Sequence, residues 1–308
     1  MDKKDILILQ ELDLNARNSY GNIGKKIHKS KEFVRARVQK LVENKVIARF
    51  VTSIDYSGLG MYRICLYIKF KEMTPKLKEK ILSYDRIKQC RIKFFSVGNY
   101  DLYIDWILSS EDNAAKIAFD FLSTLGDSMS NASMHVLYKI KHYRNRYLYN
   151  KAICPPFISE YTGTGRITIT KQEEDILNIL KENPRINIVD LAKQSDLSVK
   201  TVLSKINHLK KLKILKGFCI KLNNVNVNKE DYIILLKLNN NTNKTRARIE
   251  SYLDSIIEVS YLGRLIGEYD LEFAITVNSQ REFIKIFEKL RSTLKQDIKE
   301  FNILFLST

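Results

Sequence analysis

Two stretches of the chain place basic and hydroxyl side chains between apolar residues at helical spacing. In the first, Lys29, Ser30, Lys31, Arg35, Arg37 and Lys40 fall around Val34, Val38 and Leu41. In the second, Ser198, Lys200, Thr201, Ser204, Lys205 and His208, followed by Lys210 and Lys211, fall around Val202, Ile206 and Leu209. Arginine grips guanine through two parallel hydrogen bonds, lysine and arginine neutralise phosphates, and hydroxyls serve either. The chemistry these residues offer is recognition of double-stranded DNA. A second constellation also occurs twice: Gly98, Tyr100 and Asp101, then Gly267, Tyr269 and Asp270. A glycine turn between strands needs no ligand, because glycine supplies the backbone conformation. Its aspartate could take a ligand's ammonium group or simply bond the turn, so both roles stay open.

Other chemistries find little support. The four cysteines, Cys65, Cys90, Cys154 and Cys219, form no CxxC pair, which argues against a structural zinc site and against a disulfide scaffold. The four histidines are His28, His135, His142 and His208. None falls in the strand-like segments Cys90–Val97 and Val259–Ile266, and none is expected beside the glycine turns. No catalytic residue, metal or cofactor is assigned, and the chain is read as not an enzyme.

The elements that must carry these residues come from an internal repeat. At an offset of 168, Ile8, Leu9 and Leu12 match Ile176, Leu177 and Leu180, and Asn15 and Arg17 match Asn183 and Arg185. The match continues through Ser30/Ser198, Val34/Val202, Leu41/Leu209 and Phe50/Phe218. The glycine turns match at an offset of 169, one residue having been inserted between. The protein is therefore two tandem copies of one unit.

Each unit opens with three short helices. Ile8, Leu9 and Leu12 line the first, with Asp2 and Asp5 at its start, where the helix dipole favours acid. Ser19 is the expected cap of the second, which buries Ile23 and Ile27. After the turn His28-Lys29, Ser30 caps the third. Asn187 and Ser198 are the corresponding caps in copy 2. A helix, a short turn, a capped helix and a strand-like Ala48–Ile54 make a helix-turn-helix with a following strand.

The second part of each unit alternates strands and helices in the order β-α-β-β-α-β. In copy 1 these are Met61–Phe70, Pro75–Tyr84, Cys90–Val97, Tyr100–Leu108, Glu111–Leu125 and Met134–Ile140. In copy 2 they are Tyr232–Leu238, Thr245–Leu253, Ile256–Ile266, Tyr269–Val277, Arg281–Leu294 and Phe301–Leu306. The fold class is α+β: two helix-turn-helix domains alternating with two ferredoxin-like domains. The expected boundaries are 1–55, 60–142, a basic Tyr-rich linker 143–167, 168–222 and 230–308. Each sheet has one face without helices, and two such sheets in one chain can cover each other.

The charge fits this organisation. The 308 residues carry 52 Lys plus Arg against 35 Asp plus Glu, a net +17. Residues 1–50 hold twelve bases and six acids, and most of those bases follow residue 24, around the third helix. The segment between the units adds Lys139 and Lys141 just before the linker and Arg144, Arg146, Lys151 and Arg166 within it, against Glu160. Tyr143, Tyr147, Tyr149 and Tyr161 are interleaved with them, a composition that can bind nucleic acid or anchor the linker on the domain surface, and Pro155-Pro156 forbids a continuous helix. No apolar run approaches the ~18 residues a bilayer span needs, and the charged N-terminus lacks a signal-peptide pattern. A cytoplasmic, nucleoid-associated location and no membrane partner follow as expectations.

These residues resemble the Lrp/AsnC, or feast/famine, family of transcriptional regulators. The likeness rests on Asp5, Ile8, Leu9 and Leu12, on Asn15-Ala16-Arg17, and on Ser30 with Val34, Arg37, Val38 and Leu41, closing at Val46-Ile47. The Gly98-x-Tyr100-Asp101 turn is similar to that of the family's effector-binding RAM domain. The resemblance implies winged-helix DNA binding, dimers built through the RAM sheets, and a small effector such as an amino acid near the turn. Here the tandem copies imply either a homo-oligomer or an internal pseudo-dimer. Copy 2 has Pro184 for Ala16 and Lys205 for Arg37, and lysine does not replace arginine in bidentate recognition. It either reads DNA less specifically or serves mainly as structure. Siroheme decarboxylases resemble the same doubled plan, so an enzyme of that type is one competing reading; a low-specificity chromatin-architectural protein is the other.

Overall fold

The capping residues read from the sequence start the helices in the computed structural model, which describes residues 1–84, 92–109, 111–149, 157–160 and 166–307. Cys90, Arg91, Lys151, Cys154, Pro155, Pro156 and Tyr161 lie outside them. Copy 1 begins with α1 (Lys3–Leu14), α2 (Tyr20–Ile27), α3 (Lys31–Glu43) and β1 (Ile47–Ile54). It continues with β2 (Tyr62–Phe70), α4 (Pro75–Ser83), β3 (Ile92–Gly98), β4 (Leu102–Leu108), α5 (Ala114–Leu125) and β5 (Met129–His142). A short β6 (Phe157–Glu160) adjoins β5. Copy 2 has α6 (Lys171–Glu182), α7 (Ile188–Gln194), α8 (Val199–Lys211), β7 (Leu215–Leu222) and β8 (Glu230–Leu238). It ends with α9 (Asn243–Ser255), β9 (Val259–Ile266), β10 (Leu271–Val277), α10 (Gln280–Thr293) and β11 (Ile298–Ser307).

The chain divides into two compact units, and each draws on both sequence copies. The first comprises Met1–Leu59, Tyr143–Phe157 and Arg166–Lys229, and so contains both helix-turn-helix regions. Strands β1 and β7 pair antiparallel, with Phe50 opposite Ile220 and Val51 opposite Cys219. One apolar core runs through both regions, from Ile8, Leu12 and Val34 to Ile176, Leu180 and Val202.

The second unit comprises Gly60–His142, Ile158–Gly165 and Glu230–Thr308. Each copy arranges its four strands in the ferredoxin-like order: β5-β2-β4-β3, and β11-β8-β10-β9. The sequence left open a face-to-face cover of the two sheets. They instead join edge to edge, β3 to β11 and β9 to β5, and so close an eight-stranded antiparallel ring. Closure leaves none of the eight ring strands as an open edge strand. Alternation along β2 then sorts the side chains. Ile64, Leu66, Ile68 and Phe70 pack with Leu77 and Ile81 of α4 and Phe121 of α5. Cys65 and Tyr67 point the other way, into a cluster with Tyr103, Leu137, Leu235 and Leu265.

Candidate nucleic-acid interface

Helices α3 and α8 start alike. Ser30 accepts a hydrogen bond from the Phe33 N–H, and Ser198 from the Thr201 N–H, each at 3.1 Å. Such caps satisfy donors that a helix start leaves unpaired. The turn before each helix requires a left-handed residue: His28 at φ 55° and Asp196 at φ 52°. Glycine is the residue that takes this conformation without strain, so its absence at both turns costs of order 1 kcal/mol each. In copy 1, Gly24 compensates by allowing close approach, because a Cβ there would lie 2.5 Å from the Lys29 carbonyl oxygen.

Val34, Val38 and Leu41 of α3 are buried, as are Val202, Ile206 and Leu209 of α8. Lys29, Ser30, Lys31, Arg35 and Lys40 are exposed, as are Ser198, Lys200, Ser204 and His208. Thr201 is half-buried, and its hydroxyl lies 2.8 Å from that of Ser198. Arg35 makes no ion pair or hydrogen bond among the described residues.

Arg37 and Lys205 are placed differently. The Arg37 guanidinium bonds Asp5 at 2.9 Å and also Asp2, tying α3 to the start of α1. The Asp5 N–H and Arg37 together hold the Asp2 carboxyl below its usual range. In copy 2 the same register puts Lys205 Nζ 3.2 Å from the Thr170 hydroxyl, and His208 Nδ1 2.7 Å from Glu173. These side chains brace α3 and α8 against the first helix of their own motif.

Sequence reasoning missed two residues on α8. Val199 and Leu203 are 38% and 48% exposed. They stand in the register of Lys31 and Arg35, as the 168-residue offset shows once exposed positions are compared as well as buried ones.

The two motifs are locked reciprocally. Arg17 donates to the carbonyls of Pro184 and Ile186, both at 2.8 Å, and lies over the Phe218 ring. Arg185 donates to the carbonyls of Ala16 and Asn18 and lies over Tyr20 and Phe50. Burial, and for Arg17 the neighbouring Arg185, lowers the proton affinity of both. The start of the linker packs on the same unit. Tyr149 OH donates to the Gln10 carbonyl, Asn145 to the buried Asp13 carboxylate, and Arg144 to the Asp13 carbonyl.

The glycine turns, in the other unit, hold their aspartates in internal bonds. Asp101 accepts from the Phe70 N–H at 2.9 Å and from Lys69 Nζ at 2.8 Å. Asp270 accepts from the Leu238 N–H at 2.8 Å and from Asn241. Gly98 has φ 141° and Gly267 φ 155°. Tyr100 and Tyr269 are buried beside one another, and Tyr100 OH donates to Glu268 at 3.2 Å. Burial, then Tyr269, pushes the Tyr100 phenol up. Here the sequence expectation for histidine fails. His135 of β5 lies against the second turn, its Nε2 accepting the Tyr269 N–H at 3.1 Å. Burial lowers its pKa to about 4, so the ring is neutral. Residues 135 and 269 are brought together by the β5–β9 junction, which no local pattern encodes.

Among the described residues no group of three His, Cys, Asp or Glu side chains could hold a metal, and no helix is long and apolar enough to cross a membrane. Cys65 is buried and Cys219 half-buried, and both are free thiols.

A family model for the AsnC-type helix-turn-helix domain matches residues 1–42, and one for winged helix-turn-helix DNA-binding matches residues 169–216. The HTH-type transcriptional regulator LysM of Sulfurisphaera tokodaii is 33% identical over 104 residues, 33% of this chain and 71% of the relative. The HTH-type transcriptional regulator Ptr1 of Methanocaldococcus jannaschii is 32% identical over 119 residues, 38% of this chain and 78% of the relative. Among solved structures, the siroheme decarboxylase NirDL superposes with a TM-score of 0.67 at 13% identity, covering 99% of this chain and 91% of that one. That likeness concerns the fold.

Proposed function

The chain belongs to the Lrp/AsnC family of transcriptional regulators, and from that premise we propose that α3 and α8 are paired major-groove readers held in one frame. It is a DNA-binding transcriptional regulator. The observation that carries the residue-level reading is the exposed face of α3, with Lys31, Arg35 and Lys40 standing clear of the core. Arg35 is the base-reading arginine; Lys29, Lys31, Lys40 and Lys200 face phosphates, while His208 is held by Glu173. Ser30 and Ser198 fix the helix starts, and Arg37 and Lys205 position the helices from behind. Thr201 and Ser204 complete the second surface.

Both copies reside in one chain, so the pairing other family members reach by dimerisation is internal here. We therefore assign DNA binding to the single chain, a point that light scattering of the DNA complex tests. The expected stoichiometry is one chain per site. A non-enzymatic role accords with a ring filled by its own packed side chains. Release of carbon dioxide from siroheme by the purified protein would overturn that part.

The family premise also carries an amino-acid effector at the glycine turns. Its ammonium group has to displace Lys69 from Asp101, or Asn241 from Asp270. Titration calorimetry with the twenty amino acids tests this, with heat lost in Tyr100→Phe and kept in Arg35→Ala. No heat with any of them would remove the effector.

DNA binding is tested by anisotropy titrations of a selected duplex and a scrambled duplex at matched salt. Arg35→Ala should lower the specific affinity about 5- to 150-fold and leave the scrambled affinity nearly unchanged. Lys31→Ala should weaken both and flatten the salt dependence by about one unit of slope. Equal affinities of Arg35→Ala and the parent for the selected duplex would refute the assignment.

A further inference from the structure

We propose that this protein recognises a duplex with two unlike halves, a guanine contacted by Arg35 and a thymine methyl contacted by Leu203. The inference rests on the reading of α3 and α8 as groove readers and goes beyond it by naming what each half contains. The two helices occupy the same register of one frame. Their serine caps, their left-handed turns and their three buried positions correspond one to one. A residue on α3 and its partner on α8 therefore project alike from the two motifs.

At the leading exposed positions the chemistry changes completely. Lys31 and Arg35 on α3 stand where Val199 and Leu203 stand on α8. A guanidinium donates two hydrogen bonds to the O6 and N7 of guanine. An isobutyl group donates none, and a polar base edge pressed against it would lose its water without replacement. The apolar feature the major groove offers is the C5-methyl group of thymine. Ser204, in the register of Ala36, adds a hydroxyl beside Leu203 that serves either base.

The second helix has not lost its grip on the backbone. Lys200, Lys210 and Lys211 are exposed on α8, where Glu32, Val42 and Glu43 stand on α3. Charge has moved off the position that meets bases and onto those that meet phosphates, which contact without specifying. An exposed leucine is by itself ordinary on a protein surface. This one stands in the register of a reading arginine, on a helix whose flanks are basic. Two identical chains would have to read a palindrome, because a twofold axis repeats the reader. Here one chain supplies both readers, and the shared core with its Arg17 and Arg185 locks fixes them as a pair.

The test is selection of binding sites from a random duplex pool by the full chain, followed by base-analogue titration. The parent should enrich a two-part, non-palindromic site whose halves are about one helical turn, ~34–36 Å, apart. Arg35→Ala should lose its base preference in the guanine half alone, and Leu203→Ala in the other half alone. Deoxyuridine in place of the contacted thymine removes only the methyl group. It should weaken the parent about 3- to 10-fold and leave Leu203→Ala unaffected. Leu203→Arg should shift the second half toward the sequence of the first. Leu203 is surface-exposed, and unchanged circular dichroism of its variants will show that the fold is kept. A palindromic parental site, or a site that Leu203→Ala reads as the parent does, would overturn the proposal while leaving DNA reading by α3 intact. Failure to enrich any sequence would instead overturn the reading on which it rests.

Discussion

Glu272 sets up a measurable pH dependence in the ring unit. It lies on β10, is 1% exposed, and accepts hydrogen bonds from the hydroxyls of Tyr67 and Tyr261. Asp105 is also buried nearby, with Arg63 3.6 Å away from it. Burial pushes the Glu272 carboxyl from an ordinary 4.5 up to about 7, although both phenols and Arg63 favour its charged form. A carboxyl raised in the folded state keeps a proton that the unfolded chain has released. Its contribution to stability is therefore complete below about pH 4.5 and is lost as the pH rises through 7. One pKa unit corresponds to roughly 1.4 kcal/mol, so the shift of about 2.5 units costs on the order of 3 kcal/mol above pH 8. Glu272→Gln keeps the shape and stays neutral. Its stability relative to the parent should rise by about 3 kcal/mol between pH 4.5 and 8, on top of a constant offset from rearranged hydrogen bonds. The single tryptophan, Trp106, is buried in β4 of this unit, so its fluorescence in urea reports this transition directly. A difference between variant and parent that stays constant from pH 5 to 8, or falls with pH, would refute the reasoning.

Further outcomes follow from other contacts. Arg17→Ala strips two buried carbonyls of their donor and removes a ring contact. It should destabilise the helix-turn-helix unit by about 3 kcal/mol in circular-dichroism melts, and it should weaken the selected duplex more than either half-site alone. Gly98→Ala forces a Cβ to within 2.5 Å of the Ile303 carbonyl oxygen at φ 141°, and should cost about 1–3 kcal/mol in the Trp106-monitored urea midpoint. Arg37→Ala should leave base preference unchanged and increase hydrogen exchange at the start of α1, because it removes the partner of Asp2 and Asp5.

Much of the molecule was legible in the sequence because the signals are local. Ile8, Leu12, Val34, Val38 and Leu41 recur at the spacing of one helix face, and the repeat shows the same spacing 168 residues later. Ser19, Ser30, Asn187 and Ser198 mark helix starts because a side-chain oxygen meets an N–H two or three residues ahead. The β-α-β-β-α-β order followed from alternation and turn chemistry. The basic face of α3 was visible for the same reason, since helical periodicity separates its exposed residues from its buried ones.

Tertiary structure decided what lies between segments far apart in the chain. Strand edges carry the same main-chain groups whatever their side chains, so no local pattern says that β3 meets β11 or β5 meets β9. That pairing brings His135 to Tyr269 and closes Glu272 inside a ring. The fate of charges was hidden for a related reason. Arg35 and Arg37 look alike in sequence, but only the packing of α1 against α3 gives Arg37 two carboxylates and leaves Arg35 exposed. Leu203 shows the opposite case: an apolar residue beside the buried Val202, it stands on the surface in the register of Arg35, and only the path of the backbone places it there. The sequence by itself determined the repeated elements and the chemistry available on them. The fold decided which of those side chains are spent holding the structure and which remain to meet a partner, because burial and long-range pairing depend on distance in space.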